Sequence, residues 1–286
     1  MKGLDKAVKE QAQEARLPAG ERYLKLKLAD TRQIAALFSC PPGEVELAAL
    51  RNGIVPERYQ RNLGTTGGIE GQAVLLGSRV AVVGLGGLGG TAAELTARMG
   101  VKELVLIDGD FFKESNLNRQ CMATEENLGQ GKAETAAKRI GAVNSAVRTV
   151  VFNEFAAEHN IESMLQGCDV VLDCLDNFKA RFLLQEACRR LAIPMVHGAI
   201  AGFVGQVSTI YPEDKGLQAI YGAFEKGKDK GIEVELGNPA ATPALVAAWQ
   251  VQEAVKLITG RGRLLRKRLL LIDTETGKCE LFELEE

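Results

Sequence analysis

RVAVVGLGGLG (79–89) is a run of apolar β-formers that ends in glycines at Gly84, Gly86, Gly87 and Gly89. Such a fully apolar strand is buried on both faces, and G-x-G-x-x-G spacing makes a tight turn that brings backbone amides at a helix N-terminus close to phosphate. The next strand, ELVLID (103–108), ends at Asp108, 19 residues after Gly89, where a carboxylate accepts hydrogen bonds from ribose hydroxyls. Strand, glycine turn, helix and acid-tipped strand together predict a nucleotide site, against the alternative of a glycine turn used only for packing. The motif does not choose between NAD and ATP.

Outward from this stretch the pattern repeats. RTVVFNEF (148–155), DVVLDCLD (169–176) and PMVHGAIAG (194–202) read as further strands, with amphipathic helices near 88–99, 131–143, 158–166 and 178–191. Strands alternating with helices predict the α/β class: a Rossmann-like, doubly wound, mostly parallel sheet that binds ligands beyond the strands' carboxyl ends. Gly84, Asp108 and Asp176 sit at those ends. After Gly205 the order changes: QVSTIYP (206–212) is a strand, 213–240 is charged and glycine-rich without a period, and 243–259 is a helix stopped by Gly260. RLLLIDTETGKCELFELE (268–285) reads as a hairpin, so the sheet gains antiparallel C-terminal strands. Residues 1–55, broken by Pro18 and Pro41-Pro42, read as a small helical N-terminal extension with helices near 3–16, 21–37 and 43–52, ahead of a domain over 56–286.

Composition narrows the classes. The 286 residues are 46% apolar and 25% charged with a net charge of −2, so no strong field for nucleic acid or membrane is expected. MKGLDKAVKEQAQEARL lacks an apolar targeting core and no segment is long and apolar enough to span a bilayer, which leaves a cytoplasmic location as the default. The six cysteines are scattered with no C-x-x-C pair, a pattern of free thiols in which no structural zinc is expected.

The polar residues beyond Asp108 carry the chemistry. Asn116, Asn118, Arg119 and Gln120 fall in one short run, and Lys132 opens a helix. Arginine and lysine so placed suit a triphosphate whose charge grows during transfer at phosphorus, which favours ATP. Each residue also has a plainer reading. Arg119 and Lys132 as solvated cations, Asp176 or Asn177 as a helix cap and His197 as a hydrogen-bonded structural residue stay open at this point.

GLGGLG, the aspartate ending the next strand, NLNRQ (116–120), GQGK (129–132) and LDCLDN (172–177) together resemble the ThiF/MoeB/HesA group of adenylyltransferases, relatives of the ubiquitin-activating enzymes. ERYQRN (57–62) and VQEAVKLITG (251–260) extend the resemblance over about 56–286. It implies that Asp108 holds the ribose beside the glycine loop, that Asn116 and Arg119 contact nucleotide and phosphates, that Lys132 neutralises the α and β phosphates, and that Asp176, next to Asn177, holds Mg²⁺. It also implies that Arg61 reaches the γ-phosphate in the other subunit of a homodimer. The implied reaction is attack by the C-terminal carboxylate of a ubiquitin-like sulfur carrier ending in Gly-Gly on the α-phosphate, for thiamin, molybdopterin or related sulfur transfer.

This chain departs from that group by having neither two C-x-x-C pairs nor a cysteine in 213–245, so the acyl-adenylate would pass to an external sulfur donor or nucleophile. Three alternatives stand beside this reading. A tRNA threonylcarbamoyl-adenosine dehydratase would want a basic surface, which the near-neutral charge opposes. An NAD-dependent oxidoreductase would bind NAD without Mg²⁺. A regulatory protein without turnover is opposed by the set Asp108, Arg119, Lys132 and Asp176.

Overall fold

The computed structural model describes residues 2–16, 20–223 and 233–285. The chain opens with α1 (Lys2–Gln11), β1 (Gln13–Arg16), β2 (Arg22–Leu26), α2 (Leu28–Phe38), α3 (Pro42–Arg51) and β3 (Ile54–Pro56). The short helices α4 (Leu63–Thr66) and α5 (Gly68–Leu75) then lead into β4 (Arg79–Val83), α6 (Gly87–Met99), β5 (Glu103–Ile107), α7 (Lys132–Val143) and β6 (Arg148–Phe152). The second half holds α8 (Ile161–Leu165), β7 (Val170–Asp173), α9 (Phe178–Arg190), β8 (Met195–Ala201), β9 (Val204–Ile210), α10 (Leu217–Tyr221), α11 (Glu233–Leu236), α12 (Ala241–Thr259), β10 (Arg268–Asp273) and β11 (Lys278–Glu283).

An eight-stranded sheet runs β11-β10-β9-β8-β7-β4-β5-β6. Its pairings are parallel from β6 through β8 and antiparallel from β8 to β11. The alternation of side chains along β4 assigns the two faces. Val80 and Val82 pack with α6, α7 and α12, whereas Ala81 and Val83 pack with α8, α9 and α10. All four are fully buried, which is why the strand carries no polar residue after Arg79. From β4 the chain winds one way to β5 and β6 and returns on the other side to β7 and β8, so a crevice opens between the carboxyl ends of β4 and β7.

The β4–α6 turn at that crevice is built for glycine. Gly84 has φ +87°, and a Cβ there would lie 2.7 Å from the Cys174 carbonyl oxygen. A Cβ on Gly89 would lie 1.7 Å from the Gly84 carbonyl oxygen. The backbones of β4, α6 and the end of β7 therefore touch directly, and any side chain would lift α6 off the sheet.

The N-terminal extension differs from its helical reading. Residues 13–16 and 22–26 are strands of a three-stranded sheet ordered β1-β2-β3, antiparallel and then parallel, packed on α1, α2 and α3. QEAR and RYLKL alternate exposed and half-buried positions over a single face, and so many charged residues in segments this short mimic a solvated helix. The short helices α10 and α11 also lie within the stretch read as irregular, of which residues 224–232 lie outside the described residues. Among the described residues no helix is long and apolar enough to cross a membrane.

ERYQRN locks the extension to the nucleotide half. Tyr59 is fully buried, and its hydroxyl accepts a 2.9 Å hydrogen bond from Asn144, which also donates 2.8 Å to the Ala97 carbonyl. The Tyr59 ring lies where a Cβ on Gly100 would stand, 2.4 Å away. Arg58 donates to the Asn144 carboxamide oxygen and pairs at 3.2 Å with Glu46, which is only 1% exposed. Burial pushes the Glu46 carboxyl up, with Arg58 opposing. Arg58→Ala is expected to cost about 3–5 kcal/mol near neutral pH by leaving that carboxylate buried and unpaired. Because the Glu46 pKa then rises further, the protonated form is favoured in the folded state and the deficit shrinks as pH falls through the carboxylate range. Denaturant titrations across pH check this; a deficit that does not change with pH would show that Glu46 is not its source.

Candidate active site

A cleft of about 860 Å³ occupies the crevice above the carboxyl ends of β4, β5 and β7. Its floor is the glycine turn. Gly84, Gly86 and Gly87 line it, while Gly89 lies beneath, serving the helix–strand contact. A Cβ on Gly86 would meet nothing nearer than Gln120 Nε2 at 3.7 Å, so this backbone is open to a ligand.

Asp108 stands at the tip of β5 on the cleft wall. One carboxylate oxygen accepts the Leu85 amide at 2.6 Å and the other the Asp110 amide at 2.8 Å. Burial pushes its pKa up, against the pull of those two amides and of Lys132. Asp110 was given no role by sequence, although the D-x-D spacing was visible. It holds the buried Lys132 ammonium at 2.8 Å. Burial would raise the Asp110 carboxyl, but the hydrogen bonds from Lys132 and the Phe111 amide and the charges of Lys132 and Lys113 together outweigh it and leave the group below its ordinary range. Lys132 is thus a cation fixed at the cleft wall and not a solvated one.

NLNRQ forms the opposite rim. The Asn116 side chain accepts the Lys113 amide at 3.0 Å, and its carbonyl accepts the amides of Arg119 and Gln120 at 3.1 and 2.9 Å. Asn116 is therefore buried outside the cleft lining, and holds the turn that carries its neighbours. Arg119 and Gln120 do line the cleft. Arg119 is steadied by 3.0 and 2.8 Å hydrogen bonds to the Ser115 carbonyl and the Asn118 side chain. Gln120 Oε1 is buried without a hydrogen-bond partner, while its Nε2 is the atom nearest a Cβ placed on Gly86.

The third wall is the turn after β7. Asn177, not Asp176, caps α9, accepting the Ala180 amide at 2.9 Å. Asp176 is exposed at the cleft, where it accepts only a 3.3 Å hydrogen bond from Asn177 among the contacts described. Arg181, unmarked in the sequence, lines the same wall and donates to the Leu175 carbonyl at 3.1 and 2.8 Å. Arg61 is exposed and lies outside the cleft of its own chain. His197 lies beneath the cleft, fully buried against Asp173 at 2.7 Å; burial holds its pKa down despite that carboxylate. All six cysteines are free. Cys174 alone among them lines the cleft, and burial pushes its thiol far up, away from the nucleophilic thiolate.

A glycine turn under a buried ammonium, an arginine rim and two carboxylates, set at the switch point of a parallel sheet, defines a nucleotide-binding α/β enzyme acting at phosphate. The ThiF family model matches residues 59–286, and the chain belongs to the ThiF family of E1-like adenylyltransferases. It is 38% identical over 221 residues to the SAMP-activating enzyme E1 of Haloferax volcanii, covering 76% of this chain and 81% of that one. It is 35% identical to the heterocyst protein HesA of Trichormus variabilis, covering 76% of this chain and 80% of that one. It is also 30% identical over 275 residues to the adenylyltransferase and sulfurtransferase MOCS3 of Arabidopsis thaliana, with 91% of this chain and 58% of that one covered. Among solved structures, E. coli MccB matches with a TM-score of 0.68 at 16% identity over 96% of this chain and 92% of that one, a likeness of fold. The oxidoreductase reading is set aside by this membership.

Asp108→Asn replaces one acceptor by a donor facing a backbone amide, so it should cost about 1 kcal/mol of stability and weaken nucleotide binding at least about tenfold. Calorimetric titration with ATP measures the second effect; undiminished affinity would remove Asp108 from the site.

Proposed function

We propose that this protein uses ATP and Mg²⁺ to adenylylate the C-terminal carboxylate of a ubiquitin-like sulfur carrier ending in Gly-Gly. A carboxylate oxygen attacks the α-phosphorus, the bond to the bridging oxygen of the β-phosphate breaks, and pyrophosphate leaves. The nucleophile is already ionised, so no general base is needed. Positioning and charge neutralisation are what remain for the protein to supply. The observation that carries this reading is the fixed Lys132 ammonium facing the glycine turn across from Arg119, in a family whose relatives include a SAMP-activating enzyme and MOCS3.

In this reading Asp108 holds the ribose, Gly84, Gly86 and Gly87 pass beneath the phosphates, Lys132 and Arg119 neutralise them, and Asn116 acts by holding the Arg119 turn. Asp176 is the residue that would hold Mg²⁺. The fit is chemical: an exposed carboxylate with free lone pairs suffices where substrate phosphates provide other oxygen ligands, as Mg²⁺ sites of nucleotide enzymes do. Mg²⁺ when bound supplies charge neutralisation at the leaving pyrophosphate. Because the stretch 213–245 holds no cysteine, sulfur addition is assigned to an external donor.

A homodimer completes the site through Arg61. Leu245 and Trp249, both 37% exposed on α12, support such a face. The N-terminal end of that helix touches the glycine turn through Pro243, and Arg261 just beyond its C-terminal end packs on Gly67, six residues after Arg61. The pathway is one of cytoplasmic sulfur transfer, with thiamin and molybdopterin as the leading products. The names of the relatives favour a protein carrier over tRNA.

ATP–pyrophosphate exchange with Mg²⁺ and candidate Gly-Gly carriers is the test, and exchange should depend on one carrier. Arg119→Ala and Lys132→Ala should each lower exchange by at least about 100-fold with the fold intact, and near-normal exchange in both would dismiss the phosphate assignment. Asp176→Asn should raise the Mg²⁺ requirement about tenfold. If Arg61→Ala is itself nearly inactive, mixing it with the nearly inactive Lys132→Ala should restore up to about a quarter of wild-type activity, because one site per mixed dimer is then intact. No recovery from subunits shown to exchange would place Arg61 outside the partner's site.

A further inference from the structure

A chain of buried polar contacts runs beneath the cleft without being used by the reading above. Asp173, at the end of β7, uses one carboxylate oxygen to accept the Leu175 amide at 3.1 Å. Its other oxygen lies 2.7 Å from His197 Nδ1, and both side chains are fully buried. A carboxylate only accepts, so Nδ1 carries the proton, and the neutral ring that burial favours presents Nε2 as an acceptor. Tyr221 at the end of α10 stands 2.8 Å from Nε2 and is the donor there. Its oxygen in turn accepts from Gln206 of β9. Every proton in the series Gln206, Tyr221, His197, Asp173 thus points the same way, toward the turn after β7.

That turn is gripped from its other side as well. Arg181 binds the Leu175 carbonyl through two nitrogens, and Phe178, the first residue of α9, packs edge-on against the Tyr221 ring with centroids 4.9 Å apart. Leu175 is held by its amide from Asp173 and by its carbonyl from Arg181, with Asp176 the next residue. The Asp173 end of the series closes on the amide of this turn, and Tyr221 packs on Phe178 immediately after it, so the histidine's two partners both bear on the same short segment.

We propose that Asp173, His197 and Tyr221 form a relay that sets the orientation of the 174–177 turn, and that His197 and Tyr221 are positioning residues for Asp176 at the phosphate end of the cleft. The inference rests on the nucleotide reading of that cleft. Buried groups that orient a functional carboxylate affect turnover more than ground-state binding when the oriented group acts on the transferring phosphate. The relay also ties α10 to the cleft floor, so that filling the cleft is felt at His197.

The chain's two histidines allow a direct test, since His159 lines the cleft and His197 does not. Imidazole nitrogen NMR of the full chain, with and without ATP and Mg²⁺, should show His159 moving as a report of binding and His197 moving with it. Movement of His159 alone would overturn the relay. Movement of neither would remove the nucleotide reading and the relay's purpose together. In exchange assays Tyr221→Phe, which keeps the ring against Phe178, should lower kcat about tenfold with KM for ATP within about twofold. His197→Gln, which can still donate to Asp173 and accept from Tyr221, should retain more turnover than His197→Leu. A Tyr221→Phe protein with a lowered Tm but unchanged kcat and KM would show a structural contact only and contradict the proposal.

Discussion

Three backbones meet without side chains between them where β4 turns into α6. Gly84 lies against the Cys174 carbonyl and Gly89 against the carbonyl of Gly84, at distances that leave no room for a Cβ. This contact draws the N-terminus of α6 down onto the switch point of the sheet and sets the end of β7 beside it. The cleft, the direction of its amides and the turn bearing Asp176 all depend on that approach. Gly86 and Gly87 extend the same surface into the cleft; at Gly86 the backbone is left open, whereas Gly87 also makes room for Pro243 of α12.

Electrostatics then divides the cleft. Asp108 spends its oxygens on two backbone amides and is carried partly into the interior, so it is a hydrogen-bonding group of fixed orientation. Asp110 and Lys132 form a pair that holds the ammonium in place with little conformational freedom left to lose on binding. Arg119 is pinned by its own turn, and Asp176 stands free at the mouth. Cations are thus set before a ligand arrives, which is the arrangement a reaction dependent on charge neutralisation requires.

The central sheet was legible because parallel strands buried on both faces leave unbroken apolar runs such as VAVV (80–83) and LVLI (104–107). The strands β1 and β2 were not, because QEAR and RYLKL bury one face only and carry charges that suit a helix equally well. In the cleft, Asp108, Arg119, Lys132 and Asp176 could be named from their places after strands and in motifs, and the structure brings all four to one cavity. Asn116 belongs to the same motif but faces inward, since the short turn consumes its side chain as a cap. Arg181 and the pair Asp173–His197 carry no local pattern. Their partners lie 6 and 24 residues away in the chain, a separation set by β7 and β8 lying side by side and by the return of α9 over its own preceding turn. The extension is tied to the same centre by Tyr59 and Arg58, which reach Asn144 at the end of α7.

The central claim is transfer at the α-phosphorus in this cleft. It is tested most directly by following ATP labelled in the α- or γ-phosphate through a single turnover with Mg²⁺ and the cognate carrier. The account predicts α-label on the carrier as adenylate and γ-label only in pyrophosphate. ADP, free inorganic phosphate or γ-label on any protein would contradict it.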